Sequence, residues 1–211
     1  MRMAGGAFTA SATPFKALRE RKLVRQGWDN SCGAAALSTI LTYHYGVELN
    51  EATIALSILH NTDPDRVRRQ GGFTLLDLKR FVEAIGLEAS GYAGLTIDDL
   101  DTFEAPLILP TRIRNFDHFV VYRGSVGDRV LLGDPAFGNL SMTRSQLLDI
   151  WHGQVGFVVR ADAGFVADRS LLPDELDLAV PDLKLIGRLI RGQGPAPATR
   201  RRVIVDFVRW P

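Results

Sequence analysis

Residues 26–37 read Gln26-Gly27-Trp28-Asp29-Asn30-Ser31-Cys32-Gly33-Ala34-Ala35-Ala36-Leu37, and they hold the only cysteine of the chain. From Ser31 onward Ala34, Ala35, Leu37, Ile40, Leu41 and Tyr45 recur at helical spacing, so a helix begins at the cysteine and stops at Gly46. Asn30 or Ser31 is the expected N-cap. A thiol at a helix N-terminus feels the positive end of the dipole and unpaired backbone N–H groups, and both favour the thiolate. Gln26, six residues earlier, can donate to a developing oxyanion through its amide. The alternative role for a single cysteine is packing as a small apolar side chain.

Working outward, a second helix follows Asn50 over residues 51–59, and Thr74 caps a third that ends at Gly86. The charged stretch 60–73 between them reads as a loop, and residues 13–25 as a polar, basic lead-in. Beyond residue 100 the pattern changes. Residues 105–110 read as a short buried strand closed by proline. Residues 117–123 and 129–132 read as a hairpin ended by Asp134-Pro135. A helix over 143–151 and a strand over 154–160 complete the order. Helices first and an antiparallel sheet second make an α+β chain rather than a βαβ one.

A thiolate nucleophile needs an imidazole, and the imidazole needs an orienting group. Of the four histidines, His44 lies about 18 Å along the Cys32 helix by helical rise and is out of reach. His60 falls in the charged stretch, and His152 at a helix end invites a dipole contact. His118 opens an apolar strand, a position that presents a base at a sheet rim. Asp117 adjoins it, but neighbouring strand residues face opposite sides. Asp134 ends the partner strand and is the better candidate, although capping the turn before Pro135 is a common role for aspartate.

Taken together, Q-x5-C-G-A-A-A-L, D-H-F-V-V-Y-R-G and V-L-L-G-D-P-A-F-G resemble the bacteriocin-processing cysteine peptidases, the double-glycine leader peptidase family. The similarity runs over residues 24–160 and includes Gly72-Phe73-Thr74-Leu75-Leu76-Asp77-Leu78-Lys79. It implies a papain-like fold, with the nucleophile helix packed on an antiparallel sheet. It implies Cys32 as nucleophile, His118 as general base and acid, Asp134 as the residue orienting His118, and Gln26 as oxyanion donor. The implied reaction is endopeptidase cleavage after a Gly-Gly pair in a leader or secreted substrate, without cofactor or metal. The stand-alone form implies a periplasmic or exported protein associated with secretion or surface fibres. Two rivals stand beside it: a non-catalytic module that grips a glycine-containing segment, and an amidase or transglutaminase on the same scaffold.

Composition narrows the rest. The 211 residues are 46% hydrophobic, enough for a full core, and 25 basic residues nearly balance 24 acidic ones. No overall field draws the chain to nucleic acid or to a membrane surface. No apolar run spans a bilayer, and no phosphate-binding loop ends in Lys-Ser or Lys-Thr. One cysteine excludes an internal disulfide or a multi-thiolate zinc site. The expected organisation is a flexible segment over 1–22, a peptidase domain over 23–162, and a C-terminal extension over 163–211 of unknown role. Ala10-Ser11-Ala12 leaves the first segment open between an ordinary start and a signal-peptide remnant. The extension reads as one amphipathic helix over 171–190, a linker over 192–197, and the basic cluster Arg200-Arg201-Arg202.

Overall fold

A computed structural model describes residues 15–113, 116–161, 171–174 and 177. The N-terminal elements are helical: α1 (Phe15–Glu20), α2 (Cys32–Tyr43), α3 (Glu51–His60), α4 (Pro64–Gln70) and α5 (Leu75–Ala84). They lead into β1 (Glu88–Tyr92) and α6 (Ile97–Thr102). The remaining elements are β2 (Leu107–Ile113), β3 (Phe116–Val126), β4 (Arg129–Asp134), β5 (Gly138–Thr143), α7 (Arg144–Ile150) and β6 (Gly156–Arg160). The six strands form one sheet in the order β1-β6-β2-β3-β4-β5, with every pairing antiparallel. Among the described residues, no helix is long and apolar enough to cross a membrane.

Local chemistry explains where the helices start. The Asn50 side chain accepts from Thr53 N–H at the head of α3. Thr74 and Asp77 close a reciprocal capping box on α5, as Thr96 and Asp99 do on α6 and Thr143 and Gln146 on α7. Both faces of the central strands are covered, which is why they read as continuous apolar runs instead of an alternation. Ile108, Phe119, Val121, Phe157 and Val159 pack with α2, α3 and α5. On the other face Leu107, Leu109, Val120, Tyr122 and Val158 pack with Leu100 of α6, Leu147 of α7 and Trp151.

Several expectations need correction. Residues 13–25 are not merely a lead-in: they contain α1, and Leu18 and Leu23 are buried. The stretch 60–73 contains α4, started by Asp63 and Pro64 and stopped by Gly71 in the left-handed conformation. Proline does not close the strand at residue 110, because β2 runs on to Ile113. Pairing with β6 involves only Leu107 and Ile108, so the missing N–H of Pro110 falls where no ladder needs it. The helix read over 171–190 lies outside the described residues apart from 171–174 and 177. The linker over 192–197, the basic cluster and residues 1–14 lie wholly outside them. Leu171 and Asp177 are nonetheless fully packed, with the Asp177 carboxylate paired to Arg123 of β3.

Candidate active site

Cys32 is the first residue of α2 and is half-buried. Small residues let that helix lie close on the sheet: Ala34, Ala35 and Ala36 are fully buried, and Gly33 sits against Phe119 of β3 and Leu78 of α5. Ser31 occupies the N-cap position, but its side chain does not cap the helix. The single hydroxyl proton is instead shared between Glu51 of α3 and Trp28 O, and the oxygen accepts the Trp28 N–H at 3.3 Å. Among the described residues the first N–H groups of α2 therefore have no side-chain cap, contrary to the capping role expected of Asn30 or Ser31.

β3 and β4 bring His118 and Asp134 together. Nε2 of His118 lies 2.8 Å from Oδ1 of Asp134 in a fully buried contact. The same oxygen accepts from Ala136 N–H at 2.7 Å and Phe137 N–H at 3.0 Å, so the carboxylate is fixed by the turn that begins at Pro135. Asp117, on the opposite face of β3, is taken by Arg112 of β2 at 2.5 Å. His118 Nδ1 is buried and has no hydrogen-bond partner among the described residues. It is the ring nitrogen left for Cys32, which shares the wall of one pocket with His118. Burial disfavours charge on the imidazole, but the Asp134 charge and hydrogen bond outweigh it with help from Cys32. The pKa is pushed up to about 10.

The pocket is walled by Asp29, Gly71, Gly72, Phe73, Phe116 and Phe119 around Cys32 and His118, and the cavity measures about 20 Å³. That is room for roughly one water molecule. Gly72 is required there by close approach, since a Cβ on it would lie 3.0 Å from Asn30 O. His152 also reaches this pocket, and its N–H donates to Pro110 O, so its place is not simply a helix end. His44 is buried at the C-cap of α2, and His60 is exposed at the end of α3. Gln26 is anchored through its backbone N–H to Pro135 O at 3.0 Å, beside Asp134. Its side-chain amide donates to Trp28 O at 3.1 Å, and its Oε1 is buried without a partner among the described residues. Phe116, whose ring lies 5.7 Å from that of His118, and Glu51 were not singled out from the sequence.

The model of the peptidase C39 family matches residues 20–163, which takes in every element that builds this site. The chain belongs to the peptidase C39 family. It is a cysteine peptidase, and its α+β papain-like architecture is the one its sequence implies. Among curated relatives, a chain described as a probable functional amyloid protease FapD from Pseudomonas fluorescens is 42% identical over 159 residues. That alignment covers 72% of this chain and 70% of the relative. The FapD of Pseudomonas aeruginosa is 40% identical, covering 68% of this chain and 64% of the relative. The peptidase domain of Streptococcus ComA shares the fold at a TM-score of 0.56 and 23% identity, covering 66% of this chain and 98% of that one. A double glycine motif protease from an AMS/PCAT transporter, solved with its leader peptide, aligns at a TM-score of 0.55 and 25% identity. It covers 66% of this C39 chain and 90% of that one.

Proposed function

We propose that this C39 peptidase hydrolyses the peptide bond after a Gly-Gly pair, with Cys32, His118 and Asp134 as its triad. The observation that carries the reading is the arrangement of His118. One ring nitrogen is bound to a buried carboxylate and the other is unpaired in the pocket that Cys32 lines. In this mechanism the Cys32 thiolate attacks the scissile carbonyl carbon, and the charge moves to the carbonyl oxygen. The Cys32 backbone N–H stabilises that oxyanion, with the second N–H of the Gln26 amide, the first being held by Trp28 O. Collapse breaks the C–N bond as the His118 imidazolium gives its proton to the leaving amine. His118 then takes a proton from water, whose oxygen attacks the thioester. The C–S bond breaks, thiolate and imidazolium are restored, and the peptide leaves as a carboxylic acid that gives its proton to solvent.

A narrow cleft beside the thiol, walled by Gly71, Gly72 and Phe73, supports a glycine-bearing substrate, since backbone without side chains approaches such a wall most closely. The double-glycine protease solved with its leader peptide, and relatives described as functional amyloid proteases, favour a secreted protein as the natural substrate. On this reading the partners are that substrate and the apparatus exporting it, which places the enzyme on the periplasmic or exported side. An internally quenched peptide with a central Gly-Gly pair tests the chemistry. Wild type is expected to cut it after the second glycine, and Cys32→Ala to leave it intact with an unchanged circular dichroism spectrum. Cleavage by Cys32→Ala would overturn the assignment.

A further inference from the structure

We infer that Glu51 is a positioning residue for the oxyanion site, acting through the loop 26–31; this rests on the reading of Cys32 as nucleophile. Glu51 is the first residue of α3 and only 8% exposed. Both carboxylate oxygens accept the Gly27 N–H at 2.9 Å, and Oε1 also accepts the Ser31 hydroxyl. Burying a carboxylate is costly unless it is hydrogen-bonded, and here these donors and the N-terminus of α3 offset the cost. The approach is close enough that a Cβ on Gly27 would lie 3.2 Å from Oε2.

Two consequences bear on the reaction. First, Gly27 is fixed directly between Gln26 and Trp28. The carbonyl of Trp28 collects the Gln26 amide, the Ser31 N–H and the Ser31 hydroxyl, so one carboxylate sets the shape of the loop carrying the side-chain oxyanion donor. Second, Ser31 stands at the N-cap of α2, where a serine hydroxyl ordinarily accepts from the N–H groups of the first turn. Glu51 holds that hydroxyl as a donor turned the other way, and α2 has no side-chain cap. The N-terminal N–H groups beside Cys32 are thereby kept free for an anion. Glu51 touches neither substrate nor thiol in this role.

The test separates oxyanion chemistry from thiol chemistry. Hydrolysis of a peptide ending in Gly-Gly-aminomethylcoumarin needs the oxyanion donors, whereas alkylation of Cys32 by iodoacetamide forms no oxyanion. Glu51→Ala is expected to lower kcat about 10²-fold, the usual cost of losing one oxyanion donor, with KM little changed. Glu51→Gln, which keeps one acceptor oxygen, is expected to fall between. Alkylation rate and its pH profile should stay within about twofold of wild type in both. A peptide aldehyde ending in glycinal, which forms an oxyanion on the thiol, should bind correspondingly more weakly. If Glu51→Ala does not fold, Glu51→Gln carries the comparison. Unchanged kcat and aldehyde affinity would overturn the inference, as would parallel losses in hydrolysis and alkylation, which mark a merely structural role. Wild type that neither hydrolyses the peptide nor binds the aldehyde would instead overturn the reading beneath it, cleavage after Gly-Gly with Cys32 as nucleophile.

Discussion

His118 Nε2 and Asp134 Oδ1 meet at 2.8 Å with both side chains 1% exposed. A neutral imidazole would be the cheaper occupant of so buried a site, yet the adjacent carboxylate favours the charged ring and lifts its pKa to about 10. The proton for the leaving amine is thus already on His118 at neutral pH. Activity should persist to strongly alkaline pH and fall as His118 loses its proton near 10. Asp134→Asn removes the charge while keeping the shape. We expect kcat to fall on the order of 10²-fold and the alkaline limb to move to lower pH. A pH–rate profile of kcat/KM checks both, and an unmoved alkaline limb would remove Asp134 from its role.

The same shift has a consequence for stability. His118 titrates higher in the folded chain than its ordinary 6.5, so the folded state binds the proton more tightly. The resulting stabilisation is fully present below pH 6.5, declines as pH rises, and is lost once pH passes about 10. Thermal unfolding should therefore show Tm falling more steeply between pH 6.5 and 10 in wild type than in His118→Ala. Parallel curves would show that the imidazole is not held in its charged form.

The Cys32 helix and the hairpin that joins His118 to Asp134 were legible because their signals are local: helical spacing in one case, two short apolar runs and a proline-ended turn in the other. Among the elements that escaped reading, α4 and α6 carry local signals, an Asp63-Pro64 start and a Thr96–Asp99 capping box, but are only six or seven residues long. β1 and β5, by contrast, depend on distant partners. In β1 only Ala89 is buried, and residues 88–92 become a strand by pairing with β6 some seventy positions later. β5 reads Gly-Asn-Leu-Ser-Met-Thr, poor in β-branched and aromatic residues, and is fixed by β4 alongside it. Glu51 carries an ordinary signal, an acid in the first turn of a helix. Only the packing of α3 beside the loop 26–31 turns it inward. Ser31 misleads for the same reason, since its local preference for capping is overridden by a carboxylate twenty residues away.

Beyond the family match, Leu171 and Asp177 are tied to the sheet. Arg123, fully buried on β3, sends both terminal nitrogens to the Asp177 carboxylate at 2.8 Å and its Nε to Leu171 O at 2.9 Å. Removing one member of such a pair strands the other without water. Asp177→Ala is expected to destabilise by about 3–5 kcal/mol, measured by urea unfolding. Truncation after residue 163 should cost at least as much, because it also removes Leu171 from the core. Arg123→Met combined with Asp177→Leu should recover most of the loss. A double variant no better than Asp177→Ala alone would mean that the segment is held by something other than this pair.

Gly72 offers the sharpest test of cleft geometry. It shares the pocket wall with Cys32 and His118, and a Cβ there would press on Asn30 O, two residues before the nucleophile. Alanine must either push the Asn30 backbone away or project into a cavity of about 20 Å³. Either movement displaces a bound peptide from the thiol, and misplacement near 1 Å costs on the order of 10²-fold in rate. Gly72→Ala is therefore expected to lose cleavage of a Gly-Gly peptide to about that degree. Alkylation by iodoacetamide, a far smaller reagent that needs no seated backbone, should change little. Equal loss in both reactions would place the damage at Cys32 itself, and full retention of cleavage would show that the glycine does not define the cleft.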